Sequence, residues 1–261
     1  MLTIEQLKQY YPATSGNELP LKRILIEYLQ YELLSSIFAQ PAAKNISFMG
    51  GTAVRICYNN NRFSEDLDFD NFGLSFAEFQ KLLDRVIADM YRKGFETEFR
   101  FVEKGAYHCY VKFPQILSEY NLAVAKEEKI LIRIDTVRKE KIFQPQIITI
   151  NKFDLYFDIL VNPADIILTQ KLIAILQRKR AKGRDFYDVS FLYSFTEPNQ
   201  DYITGFLNST PAKFAKQLIN KCHEMDYSQL TKDVEPLLIN PELKARVTNF
   251  LPFIEEKLQD W

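Results

Sequence analysis

The sequence SEDLDFD, at residues 64–70, alternates acidic and apolar residues, and this limits the folds that the chain can adopt. Side chains of a β-strand point to opposite faces in turn, so the pattern predicts a strand that buries Leu67 and Phe69. Aspartate is a poor strand former, and its use at alternate positions is hard to explain by solubility alone. The acidic face of this strand carries Asp66, Asp68 and Asp70.

Carboxylates at alternate positions of a strand lie about 6.6 Å apart, and without a cation they repel one another. A divalent ion removes that repulsion, and Mg²⁺ favours one or two carboxylates together with substrate phosphates. The alternative is a solvated polar face on an edge strand. A calcium loop of the EF-hand type is excluded, because Asn71 and Ala77 occupy the positions that require Gly and Glu.

A third aspartate lies in another predicted strand, KILIRIDTV at residues 129–137. An aspartate in an apolar strand is costly unless it is paired. If this strand lies beside the acidic one, Asp135 completes a metal site with the acidic face. Pairing of Asp135 with Arg133 or Arg138 explains the spacing almost equally well.

Gly50, Gly51 and Thr52 lie between a predicted strand and a predicted helix, ahead of the acidic strand. Glycine lets backbone N–H groups approach a phosphate, and the start of a helix adds a partial positive charge. Arg62 and Ser64, just before the aspartates, could supply further phosphate contacts. Exposed loop residues would show the same pattern.

Pro163 opens a predicted helix that extends to Gly183, and along it Lys171, Arg178 and Lys182 fall close to one line. A basic stripe usually marks a solvated helix face. Lys171, however, lies among apolar residues, where a partly buried lysine needs an anion. A nucleoside triphosphate would be such an anion.

The patterns divide the chain into an α+β half and a helical half. Residues 1–158 are predicted to form a domain with a mixed or mostly antiparallel sheet flanked by helices, the first of them amphipathic. Residues 159–261 are predicted to form a helical domain that contributes Lys171 and Asp185 to the site. Predicted helices cover residues 20–38 and 76–93, and predicted strands lie at residues 46–49, 66–70, 95–103, 106–113 and 129–137.

The chain has 261 residues and a net charge of −1, which excludes a polybasic protein that binds nucleic acid over its whole surface. Three distant cysteines favour a reducing compartment, and no apolar run reaches the roughly 20 residues that span a membrane. The N-terminus has no signal-peptide pattern. His108–Cys109 and Cys222–His223 lack the spacing of zinc ligands, so structural roles are favoured. We expect a soluble cytoplasmic protein.

In chain order, the segments GGTAVRICYNNNRFSEDLDFD, IRIDT and QKLIAILQRKRAKGRDFYDV resemble the AbiEii/AbiGii toxin family of nucleotidyltransferases. That family is related in fold to DNA polymerase β and to the MenT toxins. The resemblance implies transfer of a nucleotidyl group from an NTP to an acceptor, dependent on Mg²⁺ or Mn²⁺. It further implies a toxin with a separately encoded antitoxin, in a type IV-like or abortive-infection system, and an acceptor that is tRNA, other RNA or protein.

The resemblance also implies a role for each matching residue. Asp66 and Asp68 would bind metal and act in catalysis, with Asp135 as the third metal ligand. Lys171 and Asp185 would contact phosphate and organise the site. The nucleotide would be bound by Gly50, Gly51, Thr52, Arg62, Ser64 and Lys171.

Two other functions are compatible with the same residues. A metal-dependent phosphodiesterase or nuclease would cleave nucleic acid without an NTP. A catalytically inactive member of the fold would serve only as a binding partner, and Mg²⁺ with an NTP would then give no stabilisation.

Overall fold

Seven strands of the described chain form one mixed sheet. The computed structural model describes residues 1–11, 20–123, 125, 128–140 and 143–261. The strands are β1 (Ile46–Met49), β2 (Leu67–Asn71), β3 (Glu98–Glu103), β4 (Tyr107–Phe113), β5 (Ile130–Arg138), β6 (Gln146–Lys152) and β7 (Leu155–Val161). Their order is β3-β4-β5-β2-β1-β7-β6, with β2 parallel to β5, β1 parallel to β7 and antiparallel pairs elsewhere. The predicted mixed sheet is confirmed.

Helices precede, interrupt and follow these strands. They are α1 (Ile4–Gln9), α2 (Leu21–Phe38), α3 (Gly50–Cys57), α4 (Phe76–Arg92), α5 (Ile116–Glu119), α6 (Ala164–Gln177), α7 (Gly183–Leu192), α8 (Gln200–Leu207), α9 (Pro211–His223), α10 (Tyr227–Val234), α11 (Ala245–Thr248) and α12 (Phe250–Leu258). Within the described ranges, none of them is long and apolar enough to cross a membrane.

Contacts within the chain divide the described residues into two compact units. The first contains all seven strands and takes the described residues within 1–53, 63–141 and 145–161. The second is helical and takes those within 54–62, 142–144 and 162–261. The predicted boundary after residue 158 falls inside β7, and residues 54–62 belong with the helical unit rather than with the sheet.

Helix α4 forms where its capping residues predict it. The Ser75 hydroxyl accepts from the Glu78 amide, and the Glu78 carboxylate accepts from the Ser75 amide, which satisfies N–H groups that lack partners inside the helix. Gly94, with φ of +88°, follows the helix end. The apolar stripe of α4 is buried, and the helix packs against α2 and β3.

Helix α2 differs from its predicted amphipathic character, because it is buried on almost every side. It packs against α4, β5 and β7, so its polar positions are covered as well as its apolar ones. Buried polar groups need partners, and these are present: Glu27 binds Lys152 at 2.8 Å, and Glu32 binds Tyr28 at 3.0 Å and Lys93 at 3.1 Å.

The β6–β7 hairpin was not among the predicted strands. Its turn consists of Phe153 and Asp154, both with φ of +59°, where such turns usually have Asn and Gly. Phe153 is buried among Tyr10, Tyr11, Tyr28 and Tyr31, which compensates for the left-handed backbone. Aromatic packing rather than a glycine turn therefore closes this hairpin.

In the helical unit, α6 ends at Gln177, so the prediction that it continues to Gly183 is wrong. Gly183 instead begins α7, where an added Cβ would lie 1.9 Å from the Leu230 carbonyl oxygen. The Gly183 amide donates to the Asp233 carboxylate at 2.9 Å. Because α10 approaches this closely, only glycine fits at the start of α7.

Candidate active site

The glycine turn and the acidic strand meet at Gly50 and Asp68. Strands β1 and β2 are antiparallel, with Met49 opposite Asp68, which brings the next residue against the aspartate. Gly50 has φ of +77°, and a Cβ built on it would lie 2.4 Å from Oδ2 of Asp68. Both the backbone conformation and the lack of a side chain are thus required here.

The alternation predicted for the acidic strand is present, except at its end. Leu67 and Phe69 are buried, while Asp66 and Asp68 are partly exposed. Asp70 is fully buried and forms an ion pair with Lys139 at 3.0 Å. Asp70 is therefore not solvated, because the end of the strand is enclosed, and burial separates it from the partly exposed Asp66 and Asp68.

Asp135 lies beside Asp68. Strands β2 and β5 are parallel neighbours, and their register pairs these two residues directly. On the other side of β5, the register of β4 pairs His108 with Asp135, and His108 Nδ1 lies 2.7 Å from Asp135 Oδ1. The condition on which a shared site for Asp68 and Asp135 depended, that their strands are neighbours, is therefore met.

Arg133 joins two of these carboxylates. Its Nη2 lies 2.9 Å from Asp66 Oδ2, and its Nε lies 2.8 Å from Asp135 Oδ2. Burial alone would lower the pKa of Arg133, but the nearby charges of Asp66, Asp135 and Asp68 raise it above its ordinary value. The alternative pairing of Asp135 with Arg133 is therefore present, and the metal role of Asp135 stays a prediction.

The donor chemistry of this group fits a hard cation. Three carboxylates and one guanidinium leave a net charge of −2, and carboxylate oxygens are the ligands that Mg²⁺ prefers. In the described part of the chain, no three His, Cys, Asp or Glu side chains are arranged to hold a metal ion as they stand. Metal binding at Asp66, Asp68 and Asp135 would therefore require their side chains to change arrangement.

The residues predicted to contact phosphate differ in their placement. Helix α3 begins at Gly50, so the backbone amides of its first turn have no partners inside the helix. Thr52 is fully buried and its hydroxyl donates to the Asp66 carbonyl, so its side chain supports the strand rather than a phosphate. Ser64 is partly exposed, and its carbonyl accepts from Gln30.

Arg62 and Lys171 lie in a buried ion cluster of the helical unit. Arg62 is fully buried and donates to both carboxylate oxygens of Asp188, at 2.6 and 2.5 Å. Lys171 Nζ lies 2.9 Å from Asp185 and 2.9 Å from Asp188. The burial of Arg62 contradicts its predicted phosphate contact. The anion that Lys171 needs is supplied by two aspartates of the protein rather than by a triphosphate.

The charges in this cluster hold one another ionised. Burial alone would raise the pKa of Asp188, but Arg62 and Lys171 lower it below its ordinary value. Likewise, burial would lower the pKa of Lys171, and Asp185 and Asp188 raise it. The predicted basic stripe is absent, because α6 ends before Arg178, which pairs with Asp185 at 3.1 Å.

Three residues near the aspartates were given no functional role from sequence alone. Arg133 was considered only as an alternative partner, His108 was set aside as structural, and Gln30 was not considered. Their positions depend on strand register and on the burial of α2 on almost every side. The spacing of residues in the sequence predicts neither the register nor this burial.

Known proteins share this architecture. A candidate nucleotidyltransferase from Helicobacter pylori superposes with a TM-score of 0.58 and 20% identity, over 92% of this chain and 98% of that protein. JHP933 from Helicobacter pylori gives a TM-score of 0.56 and 19% identity, over 93% and 95%. These likenesses show the fold. No curated protein matches the sequence of the chain.

The sequence match extends the likeness from fold to family. A family model described as the nucleotidyl transferase AbiEii toxin of a type IV toxin–antitoxin system matches residues 32–261. That range includes the glycine turn, all three aspartates and the buried ion cluster. The chain therefore belongs to the AbiEii family of nucleotidyl transferase toxins.

Proposed function

We propose that this nucleotidyltransferase moves a nucleotidyl group from an NTP to an RNA acceptor, with tRNA the first to test, in a reaction that requires Mg²⁺ or Mn²⁺. The observation that carries the proposal is the meeting of Gly50 with Asp68, beside Asp135 on the next strand. This places carboxylates next to the start of a helix, where an anion is favoured.

Asp66, Asp68 and Asp135 would hold the metal. When bound, a pair of divalent ions activates an acceptor hydroxyl and stabilises the leaving pyrophosphate. The fold positions these carboxylates. Leu67 and Phe69 anchor β2 in the core, and the β2–β5 register places Asp68 opposite Asp135. No covalent nucleophile on the chain is needed.

The first turn of α3 would bind the phosphates. Its backbone amides at Gly50 and Gly51 have no acceptors inside the helix, and the missing side chains leave room for close approach. Ser64, partly exposed just before Asp66, would line the same nucleotide site. These groups act by positioning and by stabilising charge in the transition state.

The RNA acceptor would bind at the basic segment between α6 and α7. Arg178, Lys179 and Arg180 are exposed there, and Lys182 and Arg184 follow. Such residues bind phosphate groups without reading sequence. Lys171 and Asp185 take a different role in this proposal, since their ion pair joins α6 to α7 beneath the segment.

Membership of the AbiEii family supports the proposal that the protein is a toxin with an antitoxin partner. We expect a cognate antitoxin encoded separately, and action in the cytoplasm, where NTPs and tRNA are available. The three cysteines are free in the structure, which is compatible with a reducing compartment.

The test is incubation of the purified protein with Mg²⁺, each labelled NTP in turn and total RNA. We expect one NTP to label a tRNA band, with release of pyrophosphate and loss of the signal in EDTA. Cleavage of RNA without an NTP would favour the phosphodiesterase alternative. Absence of both, with no rise in melting temperature on adding Mg²⁺ and NTP, would favour an inactive binding protein.

A further inference from the structure

Side chains, rather than a neighbouring strand, hold the backbone that leads into Asp66. Residues 63–66 precede β2 and lie outside any helix or strand. The Gln30 amide nitrogen donates to the Ser64 carbonyl at 2.9 Å and to the Glu65 carbonyl at 3.0 Å. The Thr52 hydroxyl donates to the carbonyl of Asp66 itself. Three consecutive carbonyls are thus fixed from two helices.

Burial makes these hydrogen bonds strong constraints. Gln30 is 1% exposed and Thr52 is 0% exposed, so neither donor has water as a ready substitute. A buried polar group that loses its partner keeps the full cost of desolvation. Both N–H groups of the Gln30 amide are used, one on each carbonyl, which leaves the segment little freedom to shift.

Gln30 differs from the other buried polar residues of α2. Glu27, Glu32 and Ser36 bind side chains of Lys152, Lys93 and Asp89. The Gln30 side chain instead binds main chain, and its two acceptors are the carbonyls of the residues just before Asp66. It also lies outside residues 32–261, the range that the family model matches.

We propose that Gln30 is a positioning residue for the nucleotidyl transfer, acting with Thr52 through the backbone of residues 64–66 to fix the Asp66 carboxylate. The inference rests on the proposed function of Asp66. Gln30 contacts neither nucleotide nor metal in this role. Catalytic carboxylates must be held to within about 0.5 Å, so loss of the Gln30 hydrogen bonds weakens metal binding and slows transfer.

The first test replaces Gln30 by methionine, which has a similar size and no donor. Residues that orient metal ligands typically contribute 10–100-fold to metal affinity or activity. We therefore expect Gln30→Met to lower kcat about 10–100-fold, or to raise the Mg²⁺ concentration for half-maximal transfer by that factor. A second measurement needs no RNA: Tm is followed as Mg²⁺ is added in the presence of the NTP. The Mg²⁺ concentration at the midpoint of the rise in Tm should be higher for Gln30→Met by the same factor.

Ser36→Ala provides the matched control. Ser36 is 1% exposed on the same helix, and its hydroxyl binds Asp89 and Lys93 away from residues 64–66. Ser36→Ala should lower Tm without ligand and leave kcat and the Mg²⁺ midpoint unchanged. Equal kinetic losses in Gln30→Met and Ser36→Ala at similar Tm would overturn the inference, because both would then reflect general destabilisation.

Thr52 variants test the same support independently if Gln30→Met does not fold. Thr52→Val removes the donor to the Asp66 carbonyl, whereas Thr52→Ser retains it. We expect loss of transfer in the first and near wild-type kinetics in the second. Wild-type kcat and Mg²⁺ midpoints in both Gln30→Met and Thr52→Val would refute the positioning role. A wild-type protein without any Mg²⁺-dependent transfer would instead refute the proposed function.

Discussion

Gly50 lies directly against the carboxylate of Asp68, so closely that a methyl group on Gly50 would be 2.4 Å from Oδ2 and 3.0 Å from Cβ of Asp68. The glycine therefore does more than permit a turn. Its missing side chain allows the first residue of α3 to approach a carboxylate of β2. A substitution at Gly50 should consequently disturb the position of the Asp68 carboxylate more than it disturbs the sheet.

We predict that Gly50→Ala greatly reduces transfer. The substitution costs about 1–2 kcal/mol for a left-handed backbone in an L-residue and also pushes Asp68 aside. A displacement of about 1 Å can lower activity about 100-fold. Gly105→Ala is the control, because Gly105 has φ of +69° and nothing within 4 Å of an added Cβ. It should share the loss of stability and keep full activity, and equal activity in both variants would contradict the prediction.

We predict that Asp66→Ala abolishes transfer and leaves the fold intact. Asp66 is partly exposed and binds Arg133 at the surface, so its removal leaves no buried charge unpaired. Loss of a preorganised charged group at a reaction centre costs at least about 100-fold in rate. NTP incorporation and circular dichroism are compared with those of Glu65→Ala, a change at the exposed neighbour. Unchanged incorporation in Asp66→Ala would remove this residue from the mechanism.

We predict that Asp188→Asn destabilises the helical unit by about 3–5 kcal/mol, because Arg62 and Lys171 lose a buried partner. The native pKa of Asp188 is lowered, so its stabilisation is complete above the unfolded pKa of about 3.9, declines below it and is lost as pH falls through the native pKa. The difference in urea midpoint between wild type and variant should therefore be smaller at pH 3 than at pH 7.

The exposed pair of Glu235 and Lys244 is the control for Asp188. Glu235→Gln in the same unit should change stability by less than about 1 kcal/mol at either pH. If Glu235→Gln and Asp188→Asn gave similar urea midpoints at pH 7, the buried cluster would contribute no more than a surface pair.

We predict opposite effects from two glycine substitutions in the helical unit. Gly183→Ala would place Cβ 1.9 Å from the Leu230 carbonyl oxygen and should destabilise by at least about 1–3 kcal/mol through overpacking. Gly205→Ala, in the exposed part of α8 with nothing within 4 Å, should stabilise by about 0.5–1 kcal/mol. Differential scanning calorimetry measures both, and a tolerated Gly183→Ala would show that α10 can move away from α7.

Elements with local signals were predictable from sequence. A few neighbouring residues are enough to predict the ends of α4, from the capping pair of Ser75 and Glu78 and from Gly94. Alternation within a few residues likewise predicts β2, β4 and β5. The sequence could state only a condition for Asp68 and Asp135: each needs a partner, and the two form one site if their strands are neighbours, as they are.

Features set by distant residues were not predictable. Phe153 and Asp154 form a turn because tyrosines from the first helices surround Phe153, and a local turn pattern does not contain that information. Lys171 was correctly expected to need an anion, but only the packing of α6 against α7 shows that aspartates provide it. In the sequence, Gln30 resembles any surface glutamine, and only the structure shows that α2 is covered on almost every side.

The parallel pairing of β2 with β5 has a consequence for the order in which the proposed site forms during folding. A contact between strands so distant in sequence forms slowly, since a long loop must close first. A nascent chain that has emerged only as far as β2 contains Asp68 but does not yet contain Asp135. The three aspartates of the proposed site therefore come together only after β5 has been made and has paired with β2.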